Sequence, residues 1–192
     1  MATKLDTLEI VDAPSRAEWR AWLVAHHTQP VGIWLVLYKK GSGPQRLSYA
    51  EAVEEALCFG WIDSSPRKVD DTCFQLYFSP RKKGSVWSAV NKKRIEQLAA
   101  AGLLMPAGQA KIAAAQHDGS WAALNEVDAL LVPPDLAAAL AVTPGAEQHF
   151  ARMAPSRRKQ HLQQLAAARR PETRQQRIAR LVQQLVPPPP AQ

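Results

Sequence analysis

Polar and apolar positions alternate along the chain in ways that predict most of its elements. Ser15-Arg16-Ala17-Glu18 has the form of a capping box, and Trp19, Trp22 and Leu23 follow at helical spacing, so a capped helix opens the ordered part of the chain. The run 31–38 is continuously apolar and rich in Val, Ile, Trp and Tyr, which predicts a strand buried on both faces. After a Lys-, Gly- and Ser-rich loop over 39–44, Ser48 and Glu51 start a second helix, with Ala52, Val53, Ala56 and Leu57 as its apolar stripe. Gly60 stands where a helix ends. Trp61-Ile62-Asp63 and the run 73–78 read as strands joined by the polar segment 64–71, a hairpin or meander.

A basic loop over 79–84 then leads to a third helix predicted from Ser85 to Ala101. Its apolar positions are Val86, Val90, Ile95 and Leu98, and Gly102 stops it. Met105-Pro106 opens a shorter helix through Ala115, broken at Asp118-Gly119. Val132-Pro133-Pro134 is the expected domain boundary, and helical patterns follow over 134–141, 145–153, 156–168 and 171–186. The expected architecture is an α+β domain over 1–132, a small antiparallel or mixed sheet with packed helices. A small all-α domain over 134–186 follows, then a disordered Pro-rich tail over 187–192.

Composition narrows the function classes. With 46% hydrophobic and 21% charged residues, the 192-residue chain has the material for a packed core. It contains no apolar run of the roughly 18 residues that would span a bilayer. The start of the chain turns acidic at Asp6 and lacks the apolar stretch of a signal peptide, so a cytoplasmic location is expected. Cys58 and Cys73 have neither CxxC nor metal-ligand spacing and read as buried free thiols, with a redox pair as the rival. No cofactor or metal is expected. G-x-S-x-G, Walker A, GxGxxG and HExxH patterns are absent, and the five histidines lack partners at ligand spacing.

Charge is more informative than its total of +7. Residues 66–94 hold eight basic and two acidic side chains and 150–192 hold nine and one, whereas 1–65 and 95–149 are net acidic. Such segregation points to an anionic partner. In the first block, Arg81, Lys82 and Lys83 run into the predicted helix start, where positive charge is unfavourable unless an anion sits on the free N–H groups and the Ser85 and Ser88 hydroxyls. Arg81 suits two parallel hydrogen bonds to phosphate or carboxylate, with Lys82 or Lys83 adding point charge; the plainer reading is a solvated basic turn with Ser85 as N-cap and Trp87 in the core. In the second block, Arg157 and Arg158 lie in the first turn of one helix, and Arg170, Arg174 and Arg177 follow at i, i+4, i+7 on another. They form a candidate basic surface for nucleic-acid phosphates, an anionic membrane surface or an acidic protein partner. Strand alternation places Trp61 and Asp63 on one face, an aromatic surface beside a carboxylate.

The stretch Leu57-Cys58-Phe59-Gly60-Trp61-Ile62-Asp63, then Phe78-Ser79-Pro80-Arg81 with Ser85-Val86-Trp87-Ser88 and Asn91, resembles the YdeI/OmpD-associated (bacteriocin-protection) family. The run from Asp135-Leu136 through Ala154-Pro155-Ser156-Arg157 to Pro171-Glu172-Thr173-Arg174 looks like that family's terminal helical module. Ser64 stands where the family's GWIDG-like segment ends in glycine. The resemblance implies a bacterial role in bacteriocin or cationic-peptide tolerance and supplies no reaction. It points to Trp61, Asp63, Arg81, Trp87 and Asn91 as the motif positions. The leading expectation is therefore a non-enzymatic anion-binding protein, with nucleic acid as one candidate partner and Trp61, Asp63, Arg81, Lys82, Lys83, Ser85, Trp87, Ser88 and Asn91 as the ligand site. The alternative is an enzyme on a small phosphorylated or carboxylated substrate, with Asp63 as acid or base and Arg81 as clamp. That alternative requires a pocket joining Asp63, Arg81 and Asn91.

Overall fold

A computed structural model describes residues 7–39, 41 and 46–185. The chain divides into two compact units between Trp121 and Ala122. In the first, β1 (Ile10–Val11), β2 (Ile33–Tyr38), β3 (Trp61–Lys68) and β4 (Cys73–Pro80) form one sheet in the order β1-β2-β4-β3. The β1–β2 pair is parallel and the others are antiparallel, so the sheet is mixed. It packs with α1 (Arg16–His26), α2 (Tyr49–Cys58), α3 (Ala89–Ala100) and α4 (Pro106–His117). The second unit is helical throughout: α5 (Asn125–Asp128), α6 (Pro134–Ala141), α7 (Ala146–Arg152), α8 (Pro155–Ala166) and α9 (Pro171–Leu185). The α+β expectation with a helical C-terminal region is what the chain adopts.

Local chemistry explains the helix ends. Ser15 Oγ accepts the Glu18 N–H at 3.2 Å and starts α1. At α2 the capping box is complete: the Ser48 side chain accepts from the Glu51 N–H, and the Glu51 carboxylate accepts the Ser48 N–H at 2.9 Å. Gly60, at φ 76°, turns the chain out of α2 into β3. Between α1 and α2, the buried Glu55 carboxylate holds Arg16 at 2.7 Å and Arg20 at 2.6 Å. Removing one partner of such a buried arrangement typically costs about 3–5 kcal/mol.

Register divides the sheet into two faces. Ile33 faces Phe78 and Leu35 faces Leu76, and these residues join Trp19, Leu23, Val53 and Leu57 in the core. Trp34 faces Tyr77 and Val36 faces Gln75 on the opposite face, outside that core. The run 31–38 is a strand from Ile33, and none of the strand's residues is exposed: Ile33, Leu35 and Leu37 are buried on the core face, and on the other face Trp34 is buried while Val36 and Tyr38 are half-buried. Trp34 is covered by the Arg67 guanidinium, 4.1 Å from its ring, and by the Tyr77 ring. β3 extends well past Asp63, with a bulge between Asp63 and Pro66. As an edge strand it accommodates Pro66, which has no N–H to offer a ladder.

The third helix starts later than its hydrophobic pattern predicts. α3 begins at Ala89, and Ser88, not Ser85, is its N-cap, accepting the Asn91 N–H at 3.3 Å. Residues 85–87 stay outside the helix because Trp87 is drawn into the core, against Arg81 and Trp121. Val86 and Val90, expected on the apolar stripe, are 48% and 57% exposed, while Ile95 and Leu98 are buried as predicted.

Leu124 and Val127 belong to the core of the second unit, with Leu136, Phe150, Leu162 and Ile178, so residues 122–132 sit with that unit. Pro133 is the N-cap of α6 and Pro134 its first residue. Cys58 and Cys73 are free and buried. The Pro-rich tail over 187–192, and residues 40 and 42–44 of the predicted loop, lie outside the described residues. No helix among the described residues is long and apolar enough to cross a membrane.

α4 meets the end of α2 closely at Gly108, where a Cβ would fall 2.3 Å from the backbone oxygen of Cys58. Backbone cannot rotate aside as a side chain does, so Gly108→Ala is expected to destabilise the first unit by about 1–3 kcal/mol. All six tryptophans lie in residues 19–121, so tryptophan fluorescence during urea unfolding reads that unit alone. A midpoint equal to or above that of the parent protein contradicts this packing.

Candidate functional site

β4 ends at Pro80, and the next residue carries the charge that organises the site. The Arg81 N–H donates to the Gly60 carbonyl at 2.9 Å, anchoring the loop beside the end of α2. Its side chain turns inward and is only 4% exposed. The guanidinium lies 3.5 Å from the centre of the Trp87 ring, and Nη1 donates to the Val86 carbonyl at 3.3 Å. Nε has no hydrogen-bond partner, and no carboxylate among the described residues pairs with the group. Burial pulls the Arg81 pKa down to about 10, and the more distant Asp63 charge opposes that pull. Arg81 is therefore a protonated, buried cation at neutral pH.

This side chain lines a cavity of about 530 Å³. The loop contributes Lys82, Lys83, Gly84, Ser85 and Trp87, and α4 with the turn after it contributes Lys111, Ala114, His117, Asp118 and Ser120. Asp118 ties the two walls together: its carboxylate accepts the Gly84 N–H at 3.2 Å and the Ser120 N–H at 3.0 Å. Ser120, through side chain and backbone, then the Gly84 N–H and the charge of Lys83, hold the Asp118 carboxyl below the usual carboxylate range. Four cations, Arg81, Lys82, Lys83 and Lys111, thus face one carboxylate that backbone amides already occupy. Lys82, Lys83 and Lys111 are exposed and can adjust to a ligand, whereas Arg81 is held by its ring and its loop.

Of the residues singled out in the sequence, Arg81, Lys82, Lys83, Ser85 and Trp87 line this cavity, and Trp61, Asp63, Ser88 and Asn91 do not. Trp61 is fully buried, its indole N–H donating to the His27 carbonyl at 2.9 Å and its ring meeting Trp22 edge-on. It is a core residue and offers no surface to a base or sugar. Asp63 accepts the Tyr49 hydroxyl at 2.9 Å. Burial, and then this carboxylate, push the Tyr49 phenol upward. The Asn91 side chain accepts from Arg94 at 3.0 Å, and the Ser88 hydroxyl caps α3. The cations therefore approach a cavity wall and not a helix N-terminus, as the late start of α3 dictates. Lys111, His117, Asp118 and Ser120 carried no signal in sequence, because α4 reads as a helix of small residues. Among the described residues no group of three His, Cys, Asp or Glu is placed to hold a metal ion.

The second basic block is used differently. Arg174 forms a two-pronged ion pair with Asp135 at 2.5 and 2.8 Å and also donates to the Leu165 carbonyl at 3.0 Å. Arg177 donates to the Gln164 carbonyl, and Lys159 pairs with Asp128 at 2.7 Å. Arg157 and Arg170 are exposed, and Arg158 is half-buried. The predicted Arg170/Arg174/Arg177 row is accordingly not one open cationic face: two of its three members join helices within the unit.

Residues 11–111 match the model of a family described as a domain of unknown function (DUF8412), and residues 129–186 match that of a family described as "Bacteriocin-protection, YdeI or OmpD-Associated". The latter match covers α6 to α9, while the Gly60-Trp61-Ile62-Asp63 and Phe78-Ser79-Pro80-Arg81 segments fall within the former. No curated protein and no solved structure matches the chain.

The ion pair across α6 and α9 makes the second unit's stability depend on pH. Arg174 holds the Asp135 carboxyl below its ordinary value. Its contribution is therefore complete above the ordinary carboxylate pKa near about 4 and is lost as pH falls through the lowered folded value. Asp135→Asn is expected to cost about 1 kcal/mol or less at pH 7, since both side chains are partly exposed. That difference should shrink towards zero below about pH 4. Urea unfolding by circular dichroism, with the first unit followed separately by tryptophan fluorescence, measures it; a difference that persists undiminished in acid contradicts the pairing.

Proposed function

The chain belongs to this DUF8412 family, whose description assigns no activity, and from the site itself we propose that the first unit binds a small multivalent anion of the phosphate class in the Arg81 cavity. The observation that carries the proposal is a guanidinium 4% exposed, with an unpartnered Nε and no paired carboxylate, on the wall of a cavity that three lysines also line. Keeping an unpaired ion out of water costs several kcal/mol. An anion in the cavity offsets that cost by accepting charge-assisted hydrogen bonds from the guanidinium edge. The guanidinium sits 3.5 Å over the Trp87 ring, which holds it in place, and the lysines add charge that adapts to the ligand. The volume of about 530 Å³ lies within the range of small-molecule sites. An excess of four cations over one occupied carboxylate favours a ligand of charge −2 or more over a monocarboxylate.

Binding without catalysis is the function this arrangement supports. Acid–base work by Asp63 needs a pocket shared with Arg81 and Asn91, and the cavity lining includes neither Asp63 nor Asn91. Docking of an acidic protein partner on the second unit loses support because Arg174 and Arg177 bond within that unit. The bacteriocin-protection match over 129–186 links the chain to that family at the level of its second unit. In our reading the anion-binding unit acts in tolerance to such peptides from the cytoplasm, through its ligand and not by capture, since a chain of net charge +7 repels cationic peptides at long range.

Tryptophan-monitored thermal unfolding at constant ionic strength tests this with pyrophosphate, phosphate and acetate as ligands. Pyrophosphate is expected to raise the midpoint more than phosphate, and acetate to leave it unchanged. Arg81→Gln should abolish the shift, and Lys111→Ala should reduce it. Equal midpoints in all three anions, with the parent protein folded, overturn the proposal.

A further inference from the structure

Arg81 and Lys82 line a second cavity besides the one that holds the anion. Its volume is about 460 Å³, within the range of small-molecule sites. Leu8, Pro30, Val31 and Pro80 give it apolar walls, and Tyr77 and Ser79 line it from the end of β4. Apart from Arg81 and Lys82 its lining carries no charge, so the space suits the uncharged part of a ligand. Gly32, just before β2, gives this cavity its form. A Cβ there would fall 2.4 Å from the Phe78 carbonyl oxygen and 2.5 Å from the Tyr77 hydroxyl oxygen. The Tyr77 phenol therefore rests across bare backbone, and its ring also meets that of Trp34 at 5.5 Å, so packing fixes its position. Among the described residues no hydrogen bond engages the hydroxyl of Tyr77 or of Ser79. Both keep donor and acceptor capacity for a ligand.

We propose that the anion of the Arg81 cavity is the diphosphate of a nucleoside diphosphate, whose nucleoside lies in this second cavity beside Tyr77. The proposal rests on the anion reading of the Arg81 cavity and adds the organic group joined to the anion. Arg81 and Lys82 belong to both linings, so a molecule anchored on them by its charged end reaches the second space with the rest. That space combines flat apolar surfaces, one phenol ring and two proline rings, with two hydroxyls. A nucleoside has the matching composition: flat apolar faces on the base, and ribose hydroxyls and base edges that hydrogen-bond. A purely aliphatic ester leaves both hydroxyls without a partner, and an amine meets only like charge.

Isothermal titration calorimetry of the intact chain with pyrophosphate, methyl diphosphate, adenosine diphosphate and uridine diphosphate is the test. Methyl diphosphate carries the ionised groups of the nucleotides without their ring systems. The better of the two nucleotides is expected to bind at least about tenfold more tightly than methyl diphosphate. Val31→Trp, at a position 48% exposed, fills the second cavity, and Tyr77→Phe/Ser79→Ala removes its hydroxyls. Each variant should cut the nucleotide's advantage at least about threefold while leaving pyrophosphate binding within about twofold of the parent value. Retained pyrophosphate binding also shows that the variant is folded. Arg81→Gln should abolish binding of all four ligands. Pyrophosphate binding without an advantage for either nucleotide overturns this proposal and leaves the anion reading standing. A nucleotide advantage that both second-cavity variants keep in full also overturns it alone. No pyrophosphate binding by the folded parent protein, or undiminished binding by Arg81→Gln, overturns both.

Discussion

A cation excluded from water must be surrounded by structure that tolerates it, and in the first unit the Arg81 guanidinium imposes that requirement. Its backbone N–H is committed to Gly60, which itself adopts a left-handed conformation at the end of α2. Its plane is committed to Trp87, and one edge to the Val86 carbonyl. The non-helical path of residues 85–87, the late start of α3 and the burial of Trp87 therefore belong to one arrangement. Were the helix to begin at Ser85, as local hydrophobicity suggests, Trp87 would lie in the first helical turn and the Val86 carbonyl would be drawn into the intrahelical ladder. The contacts around the guanidinium stop short of a counter-charge. Asp63 acts on it from a distance while its carboxylate receives the Tyr49 hydroxyl. The fold thus fixes the position of a cation without neutralising it, which is what pre-organised recognition of an anion requires.

The same logic of position without neutralisation separates this site from the buried Glu55. There two arginines converge on one carboxylate at 2.6 and 2.7 Å, and the charges satisfy each other within the protein. Arg20 reaches further, to the Leu103 carbonyl at 3.2 Å, so this network fastens the α1–α2 pair to the segment before α4. α4 then brings Lys111 and Asp118 to the loop after β4. A closed ion network thereby supports an open one, and the glycine contact sets how closely α4 approaches the end of α2.

Elements governed by neighbouring residues were legible in the chain. Ser48 with Glu51, Gly60, Pro106, Pro134 and Pro171 act through bonds or φ restrictions that reach four residues at most, and the helices they begin or end lie within a residue or two of expectation. The N-terminal limit of α3 was not legible, because the force displacing it is the ring of Trp87 packing on Arg81 and Trp121. The basic loop was visible as charge, whereas the opposite wall of the cavity was hidden in a helix of Ala, Gly and Gln with one lysine. Trp61 misled for a related reason. Alternation assigns a residue to one side of a strand, but at the start of an edge strand that side can still be roofed, here by Trp22 and the carbonyl of His27.

Net charge is for the same reason a poor guide to how many cations a ligand can meet. Arg174 and Asp135 stand 39 residues apart in the chain, and the helical spacing of Arg170, Arg174 and Arg177 contains no trace of a partner at that separation. Arg16 and Arg20 are taken up by Glu55 within the first unit, and Lys159, Arg174 and Arg177 by bonds within the second, so none of these five counts towards a cationic surface. Each of those internal partners is a carboxylate or a carbonyl, a group that Arg81 lacks apart from one carbonyl at 3.3 Å. What distinguishes a binding cation from a structural one here is therefore neither exposure nor local charge density. Arg81 is more buried than any of the five structural cations, and it lines a cavity while its Nε keeps no hydrogen-bond partner and no carboxylate pairs with it.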